Sequence, residues 1–507
     1  MPVAQRIYQQ LLDSKSTVTP SHYHHHAMLE VCGNYHNMDA LWNVVGELPE
    51  HGPDRPNAQT YTVILMALQN NFEHAVEALH QGSDPKLRSE KRESMLLDVK
   101  RIWADVVSQW KDGELELDDE LVSTMAQILL DPLDETSSYN VLALFNQTLG
   151  VPIFARKPKS MSLFEKPPFD SEKPEGAAIE DVEQLGSEED AVETRTEAEA
   201  EVEAEAETEA EAEADEKVYV ESLEDVFDPV EPKPADQITA NNMILNSILR
   251  TCRVMTQGTS AGKQYWKYLT IEDNAHKIQP DLANFHEYLR LLRVARSSQG
   301  AVDLIRDQMI PDFDNDMRGV TFHLAMSCCL RDRQNPNVFL NAQEMLSLMD
   351  KSLPLPDPRP LQGFLTLVDA LISNPQWLLG LRGLDGSDQA TANLTTMGRN
   401  LRWSLQKAAV TSLEPHINRL YEAMETPQNM RSSPGMANGS SALNLLVQTR
   451  QMLDKLLSTH YKNTLSEADR TWLRALATKL RKFSKPDVAR QFEGSQIMPL
   501  NKHWSQR

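Results

Sequence analysis

The chain has 507 residues, 40% of them hydrophobic, and a formal charge of -24. That length holds two to four domains or one extended repeat array. No run of about 18 apolar residues occurs, which argues against a membrane-spanning helix. Four cysteines (Cys32, Cys252, Cys328, Cys329) without a CxxC spacing argue against a disulfide framework and fit a reducing compartment.

Taken at face value, the net charge argues against a nucleic-acid partner, but its location changes that reading. Between Asp170 and Glu231 stand 26 acidic and 3 basic residues, so the rest of the chain carries about -1. From Ser441 to Arg507 there are 12 Lys and Arg against 5 Asp and Glu. The N-terminus, "MPVAQRIYQQLLDSK", has neither a secretory apolar core nor the Arg- and Ser-rich look of a transit peptide. A cytosolic protein, or one whose presequence is not part of this chain, fits that start.

In chain order, the first notable stretch is "PSHYHHHAMLEVC", Pro20 to Cys32. His22 and His26 are four apart and share a helix face, a spacing that allows a metal. Further on, "ESMLLDVKRIWADVVSQW" places Leu96, Val99, Trp103, Val106 and Trp110 at steps of three and four. This is the buried stripe of an amphipathic helix. The tract from 156 to 234 contains "TEAEAEVEAEAETEAEAEADEK", with Glu at alternate positions and no Lys four residues on to pair with it. Like charges at that spacing repel, so a disordered or transiently helical insert is expected, serving as a linker or as a shield for a basic surface. Near the end, "LSEADRTWLRALATKLRKF" opens with a capping pair, Ser466 and Asp469. Trp472, Leu476, Leu480 and Phe483 form its stripe, and Arg470, Arg474, Lys479, Arg481 and Lys482 form a candidate basic patch.

Self-similarity ties the two helical blocks together. "PNAQTYTVILMAL" starts at Pro56, "PDLANFHEYLRLL" at Pro280 and "PDPRPLQGFLTLV" at Pro356. Each has Pro, Asp or Asn, three residues, a bulky residue (Tyr61, Phe285, Leu361) and then a helical apolar pattern. "MRGVTFHLAMSCC" places Phe322 in the same register, and the histidine stretch fits with Tyr23 as its bulky residue. The steps are 38 residues from Tyr23 to Tyr61, 37 from Phe285 to Phe322 and 39 from Phe322 to Leu361. The physical unit is a helix hairpin of about three dozen residues. Proline ends the preceding helix, and the neighbouring Asp or Asn accepts backbone N–H groups at the next helix start. Stacked hairpins make a solenoid. On this reading the histidines occupy the first turn of a leading helix, where other repeats carry Thr, Val, Glu or Leu. No metal site is expected there.

"PNAQTYTVILMAL" resembles a pentatricopeptide repeat, whose usual start is Pro-Asp-x-x-Thr-Tyr-Asn-x-Leu-Ile. The likeness is closest over 56–68 and 280–292, is weaker around Tyr23, Phe322 and Leu361, and is faint at "LELDDELVSTMAQIL" and "ITANNMILNSILRT". The resemblance implies single-stranded RNA as partner, with about one base read per repeat by the residue after the aromatic and the last residue of that repeat. The first role falls on His24, Thr62, His286, His323 and Gln362, and the second on Asn57 and Asp357. Thr62 matches the family's usual Thr, Ser or Asn; the histidines and Gln362 depart from it. The resemblance further implies mitochondrial RNA metabolism or translation, with mitochondrial mRNA, rRNA or ribosomal proteins as partners. A cytoplasmic protein-binding scaffold is the alternative.

Catalysis has no support. No Gly-rich phosphate loop, HExxH or GxSxG occurs. "GTSAGKQYW" places Gly258 four residues before Gly262 and has Gln264 after Lys263, unlike a P-loop. "PDFDNDMRG" has Asp312, Asp314 and Asp316 but Met317 at the position where a calcium loop needs glycine, so it reads as an inter-helix loop. The expectation is therefore an all-α, non-enzymatic repeat solenoid without cofactor or metal, small-molecule substrate or membrane. Its segments are helical repeats over 1–155, the acidic disordered insert over 156–234, repeats over 235–425, a linker over 426–442 and basic helices over 443–507.

Overall fold

A computed structural model describes residues 1–13, 20–49, 52, 55–78, 85–131, 134–158, 226–227, 238–313, 316–383, 394–425, 439–458 and 465–484. The described residues contain helices and no strand, so the fold is all-α as the periodicity predicts. Most of the acidic tract lies outside them. The chain divides into two compact units, 1–116 with 156–228, and 117–155 with 229–507. The division falls after Glu116, whereas the sequence grouped 1–155 together.

In the first unit, α1 (Pro2–Leu12) packs on α2 (His22–Asn34), which pairs with α3 (Met38–Gly46). α2 also packs on α4 (Ala58–Ala78), which pairs with α5 (Pro85–Lys111). Val99, Trp103, Val106 and Trp110 are buried as the stripe predicts, whereas Leu96 is only half-buried and Met95 takes the buried place one turn before Val99. Gly33 lets α2 approach α4 closely: a Cβ there would lie 2.8 Å from that of Ala67.

In the second unit the helices alternate between leading and trailing partners. α6 (Asp119–Leu130) pairs with α7 (Glu135–Leu149), and α8 (Asn242–Val254) with α9 (Gly258–Trp266). α10 (Leu282–Val294) is followed by α11 (Ser298–Leu304) and the short α12 (Ile310–Phe313). α13 (Gly319–Arg331) pairs with α14 (Val338–Ser352), and α15 (Pro358–Ser373) is followed by α16 (Pro375–Gly380) and α17 (Leu394–Glu425). α18 (Gly439–Leu456) pairs with α19 (Glu467–Leu480). The leading helices touch in sequence, α6 on α8, α8 on α10, α10 on α13, α13 on α15 and α15 on α18. Among the trailing helices, α11 packs on α14 and α14 on α17. α9 and α11 each run into a π-helical turn, Lys267–Ile271 and Ile305–Met309, at nearly the repeat spacing.

The helix starts follow the expected chemistry. Asn57 accepts from Thr60 N at 2.9 Å, Asp281 from Asn284 N at 2.8 Å and Asp357 from Arg359 N at 2.9 Å. Four residues on from each of these caps the core residue is buried: Tyr61, Phe285 and Leu361. Phe322 holds the same place in α13, though its cap residue Arg318 makes no side-chain cap bond. Burial of such a side chain contributes roughly 1.5–3 kcal/mol.

The first repeat corrects the sequence register. Tyr23 is 73% exposed, while His25, four residues after cap Ser21, is 4% exposed. The turns agree. His36 and Arg296 both adopt positive φ (53° and 50°), and the next amide reaches back five residues, Asn37 N to Cys32 O and Ser297 N to Leu292 O. Both pairs lie eleven and twelve residues after His25 and Phe285, so His25 is the counterpart of the aromatic. Tyr23 cannot be that residue, because a position two places earlier points to another side of the helix.

"GTSAGKQYW", unlike a P-loop in sequence, is the helix α9, and its glycines serve close packing: a Cβ on Gly258 would lie 2.1 Å from Cys252 O, and one on Gly262 would lie 2.5 Å from a Leu291 methyl. The loop reading of "PDFDNDMRG" changes in part. Asp312 is helical rather than part of a loop, and Asp314 lies outside the described residues.

Candidate nucleic-acid interface

Correcting the register moves the first predicted base reader. His24 is in the opening turn of α2 as part of its cap: Nδ1 accepts from Ser21 N at 3.1 Å and lies 2.8 Å from Ser21 Oγ. The position after the buried core residue is His26, whose Nε2 lies 3.4 Å from Glu30. His25 Nδ1 lies 2.7 Å from the Tyr8 hydroxyl. The histidines of the opening stretch thus face different partners, and no group of three or more His, Cys, Asp or Glu among the described residues is placed to hold a metal.

In the second repeat Thr62 is 3% exposed and its hydroxyl donates to Ala58 O at 3.0 Å. It offers no free edge to a base in this arrangement. Asn57 is exposed but caps α4. Tyr61 lines a cavity of about 660 Å³ with Trp42, Ile64, Asp98, Asp105 and Gln109. Its hydroxyl donates to Asp105 Oδ2 and accepts from Gln109 Nε2, both at 2.6 Å.

The second unit brings the corresponding positions together in consecutive helices. They are Asn246 on α8, His286 on α10, His323 on α13 and Gln362 on α15, each five residues after its helix cap. His286 Nε2 lies 2.8 Å from Thr321 Oγ1, bridging to the next leading helix. Its pKa falls from 6.5 to about 4, first through burial and then through Arg290 and Arg318, with Asp281 opposing. His323 is exposed, yet its pKa is also lowered by desolvation from surrounding atoms and by Arg359. Both rings are neutral at physiological pH and present hydrogen-bonding groups rather than charge. Gln362 Nε2 reaches Ser441 O at 3.4 Å, and Asp357 is held by the Arg359 guanidinium at 2.6 Å. Asn246 Oδ1 is buried without a hydrogen-bond partner among the described residues.

Arginines crowd this row, and they escaped the sequence reading. Arg253 and Arg290 share Glu287, at 4.0 and 2.5 Å. The Arg293 guanidinium has its pKa lowered by burial and then by the nearby Arg331 and Arg253. Arg293, Arg318 and Arg331 form no ion pair among the described residues. A signal was present: "ILRTCR" and "YLRLLR" place Arg250/Arg253 and Arg290/Arg293 three apart, with a step of 40 residues between the pairs.

The predicted C-terminal patch is partly turned inward. Ser466 caps α19, accepting from Asp469 N at 3.1 Å. Leu473, Leu476, Ala477, Leu480 and Phe483 are buried, while Trp472 is half-buried and donates from Nε1 to Glu414 at 3.0 Å. Lys479 donates to Asn418 at 2.7 Å, and Lys479 and Lys482 lie over the Tyr421 ring at 4.5 and 4.0 Å. Arg470 meets Glu467 at 3.3 Å, leaving Arg474 and Arg481 the most exposed of the five.

No helix among the described residues is long and apolar enough to cross a membrane. The chain matches no protein-family model, and a search of curated proteins finds no match.

Proposed function

We propose that the chain is a non-enzymatic RNA-binding protein, a degenerate pentatricopeptide-like solenoid acting in mitochondrial RNA metabolism or translation. The supporting observation is the row Asn246, His286, His323 and Gln362 on successively packed leading helices, with arginines around it. One polar residue per helix at a fixed register, on a positively charged strip, suits a single strand whose phosphates need counter-charge and whose bases need hydrogen-bonding partners. Mitochondrial mRNA or rRNA, alone or within a ribosome, is the partner class that the repeat resemblance implies.

A protein-docking scaffold is the second reading. It is favoured by the internal hydrogen bonds of His286 and Gln362 and by the burial of Thr62. Crosslinking in cells followed by sequencing of bound RNA separates the two. Recovery of mitochondrial transcripts or rRNA supports the first; recovery of protein partners alone replaces it with the second.

A further inference from the structure

We infer that the second unit grips RNA through its phosphates, at an arginine site formed by Arg253 on α8, Arg293 on α10 and Arg331 at the end of α13, and therefore binds with little sequence preference. This rests on the RNA-binding reading and specifies how the same surface works.

The three arginines come from three consecutive leading helices that pack side by side. Arg253 and Arg293 each stand twelve residues after their helix caps and Arg331 thirteen after its own, so the three fall at nearly one register on neighbouring helices, and the charges of Arg331 and Arg253 both bear on Arg293. Only Glu287 is shared with Arg253, at 4.0 Å, and Arg290 takes its closer oxygen at 2.5 Å. Asp332, next to Arg331, accepts from Ser298 Oγ at 2.5 Å and from Asn335 Nδ2 at 2.9 Å and keeps its charge, so Glu287 and Asp332 together stand against four guanidiniums, Arg253, Arg290, Arg293 and Arg331. The cluster therefore holds positive charge in excess of its own carboxylates. Guanidinium groups gathered in this way repel one another, and a phosphodiester relieves that repulsion. It accepts forked N–H donation from each group in a geometry that lysine does not reproduce. Arg318 and Arg290 extend the charge along His286 toward the start of α13.

Two of the four row positions are already engaged: His286 is held by Thr321, and Gln362 reaches a carbonyl. That leaves Asn246 and His323 as base-edge partners against the five arginines Arg253, Arg290, Arg293, Arg318 and Arg331. Phosphate contacts position a strand but carry no sequence information. An interface rich in the former and short of free base-edge partners binds many sequences alike.

The test uses the full chain and short fluorescein-labelled oligouridine, oligoadenosine and oligocytidine, titrated by anisotropy across a range of salt. The triple variant R253Q/R293Q/R331Q removes the charge while keeping a polar tip and a similar helix propensity, and circular dichroism checks its fold. The expected result is wild-type affinities within a few-fold of one another and a loss in the variant of at least roughly tenfold on all three. The salt slope should fall by about 0.7 per arginine removed, or about 2 in total. The corresponding triple lysine variant retains charge and should keep most of the slope while losing affinity. If the wild type binds RNA and the glutamine variant binds equally, the arginine site is wrong and the RNA reading survives. Loss confined to one oligonucleotide overturns sequence tolerance. Binding of poly-glutamate but of no RNA by the wild type overturns both readings and makes the strip a dock for acidic protein.

Discussion

His286 ties the stability of the second unit to pH, with a sign and size that follow from its surroundings. Half-buried near Arg290 and Arg318, it has a pKa of about 4 in the folded chain against 6.5 ordinarily. Between those values the unfolded chain takes up a proton that the folded chain refuses, so acid favours unfolding. The stabilisation is present above pH 6.5 and is lost as pH falls toward 4. From pH 7 to pH 5 the linkage relation makes the loss about 2 kcal/mol, reduced to about 1–2 kcal/mol because the ring keeps some solvent contact. His276, His323 and His416 are shifted in the same direction, so the total pH dependence does not isolate one ring. The comparison is therefore with His286→Gln, which can still hydrogen-bond Thr321 but does not titrate. Urea denaturation followed by circular dichroism at pH 7 and pH 5 should show a smaller acid loss in the variant, by that amount. Equal losses in the two proteins would refute the account.

Three further outcomes test the packing. Gly258→Ala drives a Cβ against the Cys252 carbonyl at 2.1 Å, which only a backbone shift can relieve; a cost of about 1–3 kcal/mol should appear as a lower thermal midpoint, and a neutral result would mean the α8–α9 turn opens freely. The corrected first-repeat register is tested by a pair of variants: His25→Ala should cost about 1–3 kcal/mol and Tyr23→Ala within about 0.5 kcal/mol, with the reverse order restoring Tyr23 as the core residue. Tyr61→Phe removes a hydroxyl bonded to both Asp105 and Gln109 and should cost about 1–2 kcal/mol in chemical denaturation, whereas an unchanged midpoint would show that water replaces those bonds.

Much of this architecture is written in local pattern. Period, caps and punctuation act within a few residues, so Pro–Asp starts, apolar stripes and hairpin spacing could be read directly, and Asp281, Asn57 and Asp357 cap where those rules place them. The acidic composition of 170–231 was equally plain, since charge needs no fold to be counted. What no local rule supplied was direction. Tyr23 and His25 differ by two residues and by nearly opposite sides of one helix, and only packing against Tyr8 and α4 selects His25. Lys479 and Lys482 look like a basic surface in sequence but lie over Tyr421, because a long aliphatic stem favours an aromatic face when a neighbouring helix offers one. The arginine cluster is the converse: Arg253, Arg293 and Arg331 are separated by 40 and 38 residues, and they share one electrostatic environment because consecutive leading helices lie side by side. Charge adds through space, not along the chain, and so the proposed arginine site exists only once the hairpins are stacked.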